Sequence, residues 1–394
     1  METRKKVKVC HVTSMHTWDD DRIFERACVG LVGEQFDVYL VSTPIALNKK
    51  SEEGIKYDHE DQKNGVHLIW IKKRVGFLRR FWGSKEAIEK ALGLNPDIIH
   101  FHDPDMLPWI WIYSFNFSGK IIYDIHENYC ARIDKLKLPL FVRRAFMNLF
   151  RWFEIKVINK AGGYITTTDT MKSLYQKSKR SGIAISNVPY LSRLPMADGI
   201  PKEENITIIT SGTNSEARNC KQTIEAIPLV LNKNPKVKFK FVGKYSPKNY
   251  EEELVELAHK IGVEHAVEFE GMKPWLENFE RVAKCHIGCV FYEDNLNNKV
   301  TIPNRLFEYM AMELAVVGED FPEVKKVIDK GNCGVVVNSN NPESIANGIL
   351  SMIESNSTKQ LGENGRNAVK DFYNFEVELD KLKEFYHQLV NIES

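Results

Sequence analysis

Residues 301–318 have the pattern of a helix followed by a buried strand, a combination that can bind phosphate. Thr301 and Asn304 are residue types that cap helices, and Pro303 suits a first helical turn because its missing N–H is not needed there. An apolar run and a polar loop precede this helix, so it should begin beyond the carboxyl end of a parallel strand. Backbone N–H groups and a partial positive charge at a helix start attract phosphates. We therefore expect Pro303, Asn304 and Leu306 to contribute to a phosphate-binding site.

Glu308 lies about one turn inside this predicted helix. From there its carboxylate can accept hydrogen bonds from the vicinal hydroxyls of a sugar. The alternative is an ordinary amphipathic helix with a solvated glutamate, and the segment alone favours neither interpretation.

A strand pattern at residues 206–210 is followed by a glycine and then by an arginine. Gly212 lets the backbone approach a ligand closely, and Gly243 ends the next strand pattern of this half. Arg218 can hold two phosphate oxygens in one plane while a departing nucleoside diphosphate gains negative charge. We expect all three in the same phosphate-binding site, which the resemblance described below identifies as the donor site, and we assign Arg218 to the chemical step as well. The alternatives are a simple turn glycine and a surface arginine near a helix start.

Two strand patterns in the first half also end in polar residues. His126 follows the strand at 120–125, and a neutral imidazole there can hydrogen-bond a sugar hydroxyl or a donor phosphate. Asp103 follows the strand at 97–101 and can orient an acceptor hydroxyl or accept its proton. We assign both residues to catalysis. The alternatives are a structural histidine and an Asp103-Pro104-Asp105 turn with an Asx cap.

Four more polar residues of the first half are candidates for the same ligand-binding edge, and the resemblance described below places them on the acceptor side: His16, Arg22, His102 and Glu127. His16 and Arg22 flank the loop between the first strand and the first helix, which normally reaches towards a ligand. The alternative for this loop is that Asp19-Asp20-Asp21 only caps the following helix.

The totals restrict the class of protein. A chain of 394 residues is too long for one ordinary core and predicts two domains. The net charge of +1 argues against a general nucleic-acid binder. Seven cysteines without metal-binding spacing, and an N-terminus without a signal-peptide pattern, predict a cytoplasmic protein.

Apolar strands alternate with helices along the whole chain, which is typical of parallel sheets built from βαβ units. A proline-rich, charged stretch at 189–205 resembles a linker, and the alternation restarts after it. The sequence predicts an α/β fold with two doubly wound domains, 1–190 and 205–372, facing each other across a cleft. We expect the tail, 373–394, to be a helix that packs back on the first domain.

Two stretches mix basic and aromatic residues, 72–82 and 141–153. Such mixtures suit an anionic membrane surface. We interpret the second stretch as a buried packing helix and the first as a possible membrane-surface contact. The protein would then be peripheral at the inner face of a membrane.

Four motifs carry a resemblance to family-4 glycosyltransferases of the GT-B fold, in the subset that acts in polysaccharide or cell-envelope assembly. The motifs are His11-Val12-Thr13-Ser14 with Asp21-Arg22-Ile23-Phe24, His100-Phe101-His102-Asp103-Pro104, Tyr123-Asp124-Ile125-His126-Glu127, and Pro303-Asn304-Arg305-Leu306-Phe307-Glu308-Tyr309-Met310. The resemblance implies transfer from a nucleoside-diphosphate sugar with retention of configuration, without a metal or other cofactor. It also implies that the donor binds mainly to the second domain and the acceptor to the first.

The family pattern fits the donor residues only in part. The family has two glutamates with seven residues between them; Glu308 matches the second, which holds the ribose, whereas Val300 stands at the first. Asn298 and Lys299 are neighbours that can substitute for it. The family also places an arginine and a lysine on the diphosphate; Arg218 fits the later cation, but Thr213 replaces the earlier one.

Three hypotheses follow. The leading one is an enzyme that transfers a hexose-type sugar to a glycan or polyprenyl-linked acceptor. A second is a metal-dependent GT-A-type transferase with one nucleotide domain and Asp103-Pro104-Asp105 as its metal motif. A third is a non-catalytic nucleotide-sugar sensor or partner subunit, which the departures at Val300 and Thr213 keep open.

Overall fold

The computed structural model describes residues 6–44, 60–72, 74, 76–194, 197 and 199–390. Two residues of the predicted membrane-surface stretch, 73 and 75, and the side chains of 77–79 lie outside this description. The chain divides into two compact units, which we call the first unit (Met1–Asn187 with Glu376–Ser394) and the second unit (Val188–Phe375).

The described part of the first unit contains one eight-stranded sheet. Its strands are β1 (Val7–Thr17), β2 (Phe36–Thr43), β3 (Glu60–Lys63), β4 (Val66–Trp70), β5 (Ile98–Phe101), β6 (Lys120–Ile125), β7 (Gly163–Thr166) and β8 (Gly182–Ala184). The order across the sheet is β3-β4-β2-β1-β5-β6-β7-β8, and every pair except β3 and β4 is parallel. The order reverses direction at β1, so the crevice expected for a ligand lies at the carboxyl ends of β1 and β5.

Helices connect these strands. A π-helical segment, Asp21–Cys28, begins at Asp20, whose side chain accepts hydrogen bonds from the N–H groups of Arg22 and Ile23. The α-helices of this unit up to β8 are α1 (Val29–Leu31), α2 (Phe77–Gly93), α3 (Leu107–Tyr113), α4 (Cys130–Asp134), α5 (Leu140–Lys160) and α6 (Asp169–Ser173). The N-cap role that we gave to the aspartate cluster as an alternative is therefore real for Asp20.

The second unit repeats the architecture with a six-stranded, fully parallel sheet. Its strands are β9 (Thr207–Ser215), β10 (Lys238–Ser246), β11 (Val267–Glu270), β12 (Ile287–Val290), β13 (Ala315–Glu319) and β14 (Gly334–Val337). The order β11-β10-β9-β12-β13-β14 again reverses at its first strand, which is the doubly wound arrangement.

The helices of the second unit cover its sheet. They are α7 (Cys220–Lys233), α8 (Tyr250–Lys260), α9 (Trp275–Lys284), α10 (Asn304–Ala311), α11 (Pro322–Gly331), α12 (Pro342–Glu354) and α13 (Thr358–Asp371). Ile224 and Ile227 of α7 are fully buried in one core cluster with Phe239 of β10 and Ile349 of α12. This burial of apolar side chains is the main force that holds helices on the sheet.

The last helix, α14 (Phe375–Val390), packs in the first unit. Its Tyr386 is fully buried, touches His100 of β5 and stacks edge-on against Phe36 of β2. The prediction that the tail returns to the first domain is confirmed. Within the described ranges, no helix is both long and apolar enough to cross a membrane.

The interpretation of 141–153 as a buried packing helix is wrong. These residues lie in α5, where Phe141, Leu149 and Trp152 are 75%, 59% and 55% exposed. They follow each other at helical spacing and form one apolar face. Only the carboxyl-terminal part of α5, with Glu154, Val157 and Ile158, is buried.

Candidate functional site

A cavity of about 460 Å³ opens in the second unit at the carboxyl ends of β9 and β12, where the strand order reverses. This is the volume of a small-ligand site. Its lining comes from the end of β9, the loop after β12 and the start of α10. The lining residues are Ser211, Gly212, Thr213, Arg218, Asn278, Tyr292, Asn297, Asn298, Thr301, Ile302, Pro303, Asn304, Arg305, Glu308, Phe321 and Val324.

Arg305 fixes one wall of the cavity. Its Nη1 donates to the carbonyl of Ser211 at 2.8 Å and its Nη2 donates to the carbonyl of Phe291 at 3.1 Å. The hydroxyl of Tyr309 accepts from the N–H of Ser211 at 2.8 Å. These two hydrogen bonds join Arg305 to backbone carbonyls, which carry no net charge, so Arg305 contributes positive charge to the cavity wall.

Arg218 adds a second cation. Its guanidinium lies 3.5 Å from the ring centroid of Tyr292, and its buried Nη1 has no hydrogen-bond partner among the described residues. Burial, with the charge of Arg305 second, lowers the pKa of Arg218 to about 9. A buried guanidinium beside another cation is costly, and an anion in the cavity would offset that cost.

Helix α10 begins at Asn304. Pro303 is therefore the N-cap residue of this helix, whereas the sequence pattern predicted it in the first turn. No described side chain caps it, and Pro303, Asn304 and Arg305 at its start all line the cavity. The positive end of the helix therefore adds to the two arginines. Glu308, one turn on, is half-buried and supplies a carboxylate to the same cavity.

Two residues that we predicted to bind the donor, Leu306 and Gly243, have structural roles instead. Leu306 is 0% exposed and does not line the cavity, because it lies on the core face of α10. Gly243 pairs with Gly212 across the sheet, and a Cβ on Gly243 would lie 2.0 Å from the Gly212 carbonyl oxygen. Gly243 is therefore needed for strand packing. Gly212 itself has a φ of 97° and open space beyond it, and it does line the cavity.

The positions that depart from the family pattern are now located. Val300 is 9% exposed and apolar, so it supplies no polar group. Of its two neighbours, Asn298 lines the cavity, whereas Lys299 pairs with Asp294 at 2.8 Å. Thr213 lies at the cavity edge. Asn298 is the neighbour positioned to replace the missing glutamate.

The first unit has a different arrangement at the corresponding edge of its sheet, which we call the histidine cluster: His11, His100, His102, Asp124 and His126. His11 Nδ1 lies 3.1 Å from His102 Nε2, and His102 Nδ1 lies 3.1 Å from His126 Nε2. Asp124 Oδ2 lies 3.2 Å from His126 Nε2 and 3.3 Å from His102 Nδ1. The predicted residues His126 and His102 are thus brought together.

Three imidazoles of the cluster, those of His11, His102 and His126, have lowered pKa values beside one carboxylate. Burial lowers the pKa of His11 and His102 well below the usual histidine value, and it lowers that of His126 as well. Burial alone would raise the pKa of Asp124, but the charges of Arg22, whose Nη2 donates to Oδ1 at 2.8 Å, and of His126, with the neighbouring imidazoles of His100 and His102, together outweigh burial. The pKa of Asp124 is therefore well below its usual range. Arg22 forms an ion pair with Asp124.

Asp103 is 1% exposed and mostly engaged by the end of β1. Its Oδ2 accepts from Thr13 Oγ1 at 2.7 Å, from the Ser14 N–H at 2.8 Å and from the Met15 N–H at 3.1 Å. Its Oδ1 lies 3.6 Å from His16 Nε2. Asp103 therefore orders the β1 loop and is positioned to act through His16.

His16 and Glu127 are the more accessible acceptor-side candidates. Burial would lower the pKa of His16, but its hydrogen bond with Asp20 and the charge of Asp103 outweigh burial, so the pKa is raised. Glu127 lies on the surface and pairs with Arg132 at 3.0 Å. Glu127 is not part of the histidine cluster.

The GT-A-type hypothesis is contradicted. It requires one nucleotide domain, but the second unit holds a complete parallel sheet of its own. Its proposed metal motif is also engaged elsewhere: Asp105 Oδ2 accepts from Ser84 Oγ at 2.7 Å and from Ser14 Oγ at 2.8 Å. Burial, and then the charge of Asp103, raises the pKa of Asp105 to about 6.

Sequence reasoning missed six residues of the two sites: Arg305, Tyr292, His100, Asp124, Tyr386 and His11. Arg305 was part of a quoted motif but received no role, and Tyr292 was only the end of a strand. His100 with His102, and Asp124 with His126, are two residues apart, so each pair should lie on one face of an extended chain. This two-residue spacing is the sequence pattern that could have predicted the histidine cluster. Tyr386 and His11 gave no local signal.

Two family profiles match consecutive parts of the chain. The profile described as Glycosyltransferase Family 4 matches residues 21–184, and the one described as Glycosyl transferases group 1 matches residues 196–368. Together they cover most of both units.

Solved structures share the fold over nearly the whole chain. Sucrose-phosphate synthase from Thermosynechococcus elongatus is 14% identical, with a TM-score of 0.75, covering 98% of this chain and 100% of that one. A glycosyltransferase from Rickettsia africae is 15% identical, with a TM-score of 0.71 and coverage of 99% and 100%. Anabaena HepE, solved in complex with UDP and glucose, is 13% identical, with a TM-score of 0.66 and coverage of 97% and 100%.

A curated relative, an uncharacterised glycosyltransferase of Methanocaldococcus jannaschii, is 29% identical over 91 residues. The match spans 23% of this chain and 23% of that relative. The two family profiles and the shared two-sheet architecture give one result: the chain belongs to the family-4 glycosyltransferases and has the GT-B fold.

Proposed function

We propose that this protein transfers a sugar from a nucleoside-diphosphate sugar to a glycan or lipid-linked acceptor, with retention of anomeric configuration. The observation that carries the proposal is the cavity of the second unit. It combines a helix start, two arginines and one carboxylate, and the buried Nη1 of Arg218 lacks a partner among the described residues. A diphosphate would satisfy that donor.

The charges of the cavity match the chemistry of transfer. As the bond between the sugar and the diphosphate breaks, negative charge accumulates on the leaving phosphate. Arg218 and the start of α10 stabilise that charge, and Arg305 adds a fixed positive field. With this neutralisation no metal ion is needed at the diphosphate. Glu308 accepts hydrogen bonds from the pentose hydroxyls.

The acceptor binds to the first unit, where His16 and Asp103 are the residues that position a hydroxyl. Asp103 is held rigidly by three donors from β1, and its free oxygen faces His16 at 3.6 Å. This pair can orient an acceptor hydroxyl without full exposure of the carboxylate. A role in polysaccharide or cell-envelope assembly follows from the family resemblance.

A lipid-linked acceptor is supported by the apolar face of α5. Phe141, Leu149 and Trp152 are largely exposed, and Arg144 and Lys156 on the same helix are exposed cations. Such a face suits the surface of an anionic membrane. The protein would act as a peripheral enzyme at the inner leaflet, and α5 replaces residues 72–82 as the main contact.

The test is a two-stage assay on the purified protein. UDP, GDP and ADP are first compared by thermal shift, and one of them should raise the melting temperature because it binds only the folded state. The corresponding nucleotide sugars are then incubated with an acceptor extract, with Mg²⁺ omitted. Release of the nucleoside diphosphate that depends on the acceptor is the expected result.

The same assay separates the remaining hypothesis. A non-catalytic sensor would show the thermal shift but no release of nucleoside diphosphate from any donor and acceptor pair. A protein that shows neither a shift nor release would overturn the donor site as well.

A further inference from the structure

Three ligand-type atoms in the histidine cluster form a nearly equilateral triangle. The edges are 3.1 Å between His102 Nδ1 and His126 Nε2, 3.2 Å between His126 Nε2 and Asp124 Oδ2, and 3.3 Å between Asp124 Oδ2 and His102 Nδ1. Each side chain also lies at the carboxyl end of a strand, β5 or β6, and is held in a rigid sheet.

Protons alone cannot satisfy all three edges of this triangle. If both nitrogens carry a hydrogen to donate to Asp124, then two donors face each other at 3.1 Å. If only one nitrogen carries a hydrogen, the lone pair of the other faces the carboxylate oxygen. Either state leaves one repulsive contact in a buried site, where such contacts are expensive.

We propose that His102, Asp124 and His126 bind a first-row transition-metal ion of the zinc class. A tetrahedral ion with bonds of about 2.0 Å requires ligand atoms about 3.3 Å apart, which is close to all three edges. Two imidazole nitrogens and a carboxylate oxygen are ligands that Zn²⁺ accepts. With the ion bound, His102 Nδ1, His126 Nε2 and Asp124 Oδ2 each form a bond to the metal, and no repulsive contact between them remains.

The surroundings fit the same assignment. When His102 Nδ1 binds the ion, its Nε2–H donates to His11 Nδ1 at 3.1 Å, and His11 Nε2–H donates to Tyr386 Oη at 3.4 Å. Tyr386 O–H then donates to His100 Nδ1 at 2.5 Å. His100 Nε2 then carries the last hydrogen of this chain and lies 3.5 Å from Asp124 Oδ2, without a hydrogen-bond partner among the described residues. Such second-layer partners normally fix the tautomer of a metal-binding histidine.

Arg22 completes the arrangement around Asp124. Its Nη2 occupies Oδ1 at 2.8 Å and leaves Oδ2 for the ion, so Asp124 would bind through one oxygen. Three protein ligands leave a fourth position open, as in metal sites that bind an exchangeable oxygen ligand. His126, 13% exposed, is the ligand nearest to solvent access. The site lies in the first unit and does not depend on the proposed donor chemistry of the second.

The test uses the untagged full chain. After loading with Zn²⁺ and dialysis, elemental analysis should find one zinc ion per chain. Co²⁺ in place of Zn²⁺ should give the intense visible absorption of a tetrahedral site. His126→Ala and Asp124→Asn should each lose most of the bound metal, while His259→Ala, at an exposed histidine of the second unit, should retain it.

A further pair of variants tests the second layer without removing a ligand. Tyr386→Phe should weaken Zn²⁺ binding about tenfold. Tyr175→Phe, which changes another buried tyrosine of the same unit, should leave it unchanged. Wild-type protein that retains no zinc and gives no tetrahedral cobalt spectrum overturns the proposal, whatever the variants do. Equal metal content in wild type and both ligand variants overturns it too.

Discussion

The two units use the same sheet topology but place opposite chemistry at the carboxyl ends of their strands. In the second unit, Arg218 and Arg305 line the cavity, and Arg305 donates to two backbone carbonyls. In the first unit, the corresponding edge carries imidazoles around Asp124, and its cation Arg22 is paired with that carboxylate. The strand order decides where a ligand binds, and the residues after each strand decide what binds.

Burial favours the neutral form of a side chain, so it shifts the pKa of a buried base and of a buried acid in opposite directions. In the second unit it lowers the pKa of a guanidinium, Arg218, to about 9. In the first unit it raises the pKa of a carboxyl, Glu154, to about 7. In the second unit an anion beside Arg218 would favour the charged form, whereas in the first unit Glu154 avoids the cost of burial by keeping its proton.

Replacing Arg218 should have the largest effect. Arg218→Ala removes the cation that faces the leaving diphosphate, and we expect transfer to fall by about 10²–10³-fold, with weaker nucleotide binding. Steady-state release of the nucleoside diphosphate measures it. The matched control is Arg281→Ala in the same unit, whose guanidinium pairs with Glu270 at the surface. Equal rates for both variants would place the donor elsewhere.

Glu154 should make the stability of the first unit depend on pH. Its carboxylate accepts from Tyr175 and Tyr123 at 3.2 Å, and burial raises its pKa from 4.5 to about 7. The folded state therefore keeps a proton that the unfolded state has lost. Stability is fully present below pH 4.5 and falls as pH rises to about 7, by roughly 3 kcal/mol.

Glu154→Gln should remove this slope, and denaturant unfolding between pH 4.5 and 8 measures the difference from wild type. Glu280→Gln, at an exposed position of the second unit, is the control and should keep the wild-type slope. An unchanged slope in Glu154→Gln would show that the buried carboxyl is not the source.

Glu308 should contribute to binding rather than to folding. Glu308→Ala removes the acceptor of the pentose hydroxyls, so nucleotide affinity should fall roughly tenfold to a hundredfold, about 1.5–3 kcal/mol. Calorimetric titration with the preferred nucleoside diphosphate and with its 2′,3′-dideoxy analogue measures it. Wild type should prefer the hydroxylated ligand, and the variant should not. A variant that still discriminates would reject the contact.

The exposed face of α5 should give the smallest effect. Trp152→Glu should weaken binding to vesicles that contain phosphatidylglycerol about fivefold, because it places a charge in the apolar face. Co-sedimentation measures this. Trp275→Glu, at a 57% exposed tryptophan of the second unit, is the control. Equal loss in both variants would argue against a surface specific to the first unit.

Local patterns predicted most of the fold. Apolar runs such as Ile98–Phe101 and Gly334–Val337 have the length and composition of buried strands, and they are strands. The short edge strand Glu60–Lys63 was not predicted, because all four residues are polar and exposed. The exposure of α5 was also misjudged, since aromatic residues at helical spacing indicate a face but not what covers it.

The site could be predicted only where its residues are close in sequence. Pro303, Asn304 and Glu308 share one helix, so their common place in the cavity followed from the motif. Leu306 was assigned wrongly because the motif does not tell the core face of α10 from the cavity face. Tyr386 reaches His100 from 286 residues away, and such a contact requires the folded sheet.

The central claim is that a nucleoside diphosphate binds in the cavity of the second unit. A crystal structure of the protein with the nucleotide that raises its melting temperature tests this most directly. We predict phosphate oxygens in hydrogen-bond contact with Arg218 and with backbone N–H groups at the start of α10, and pentose hydroxyls at Glu308. A nucleotide bound away from Arg218 and Glu308, in either unit, would contradict the account.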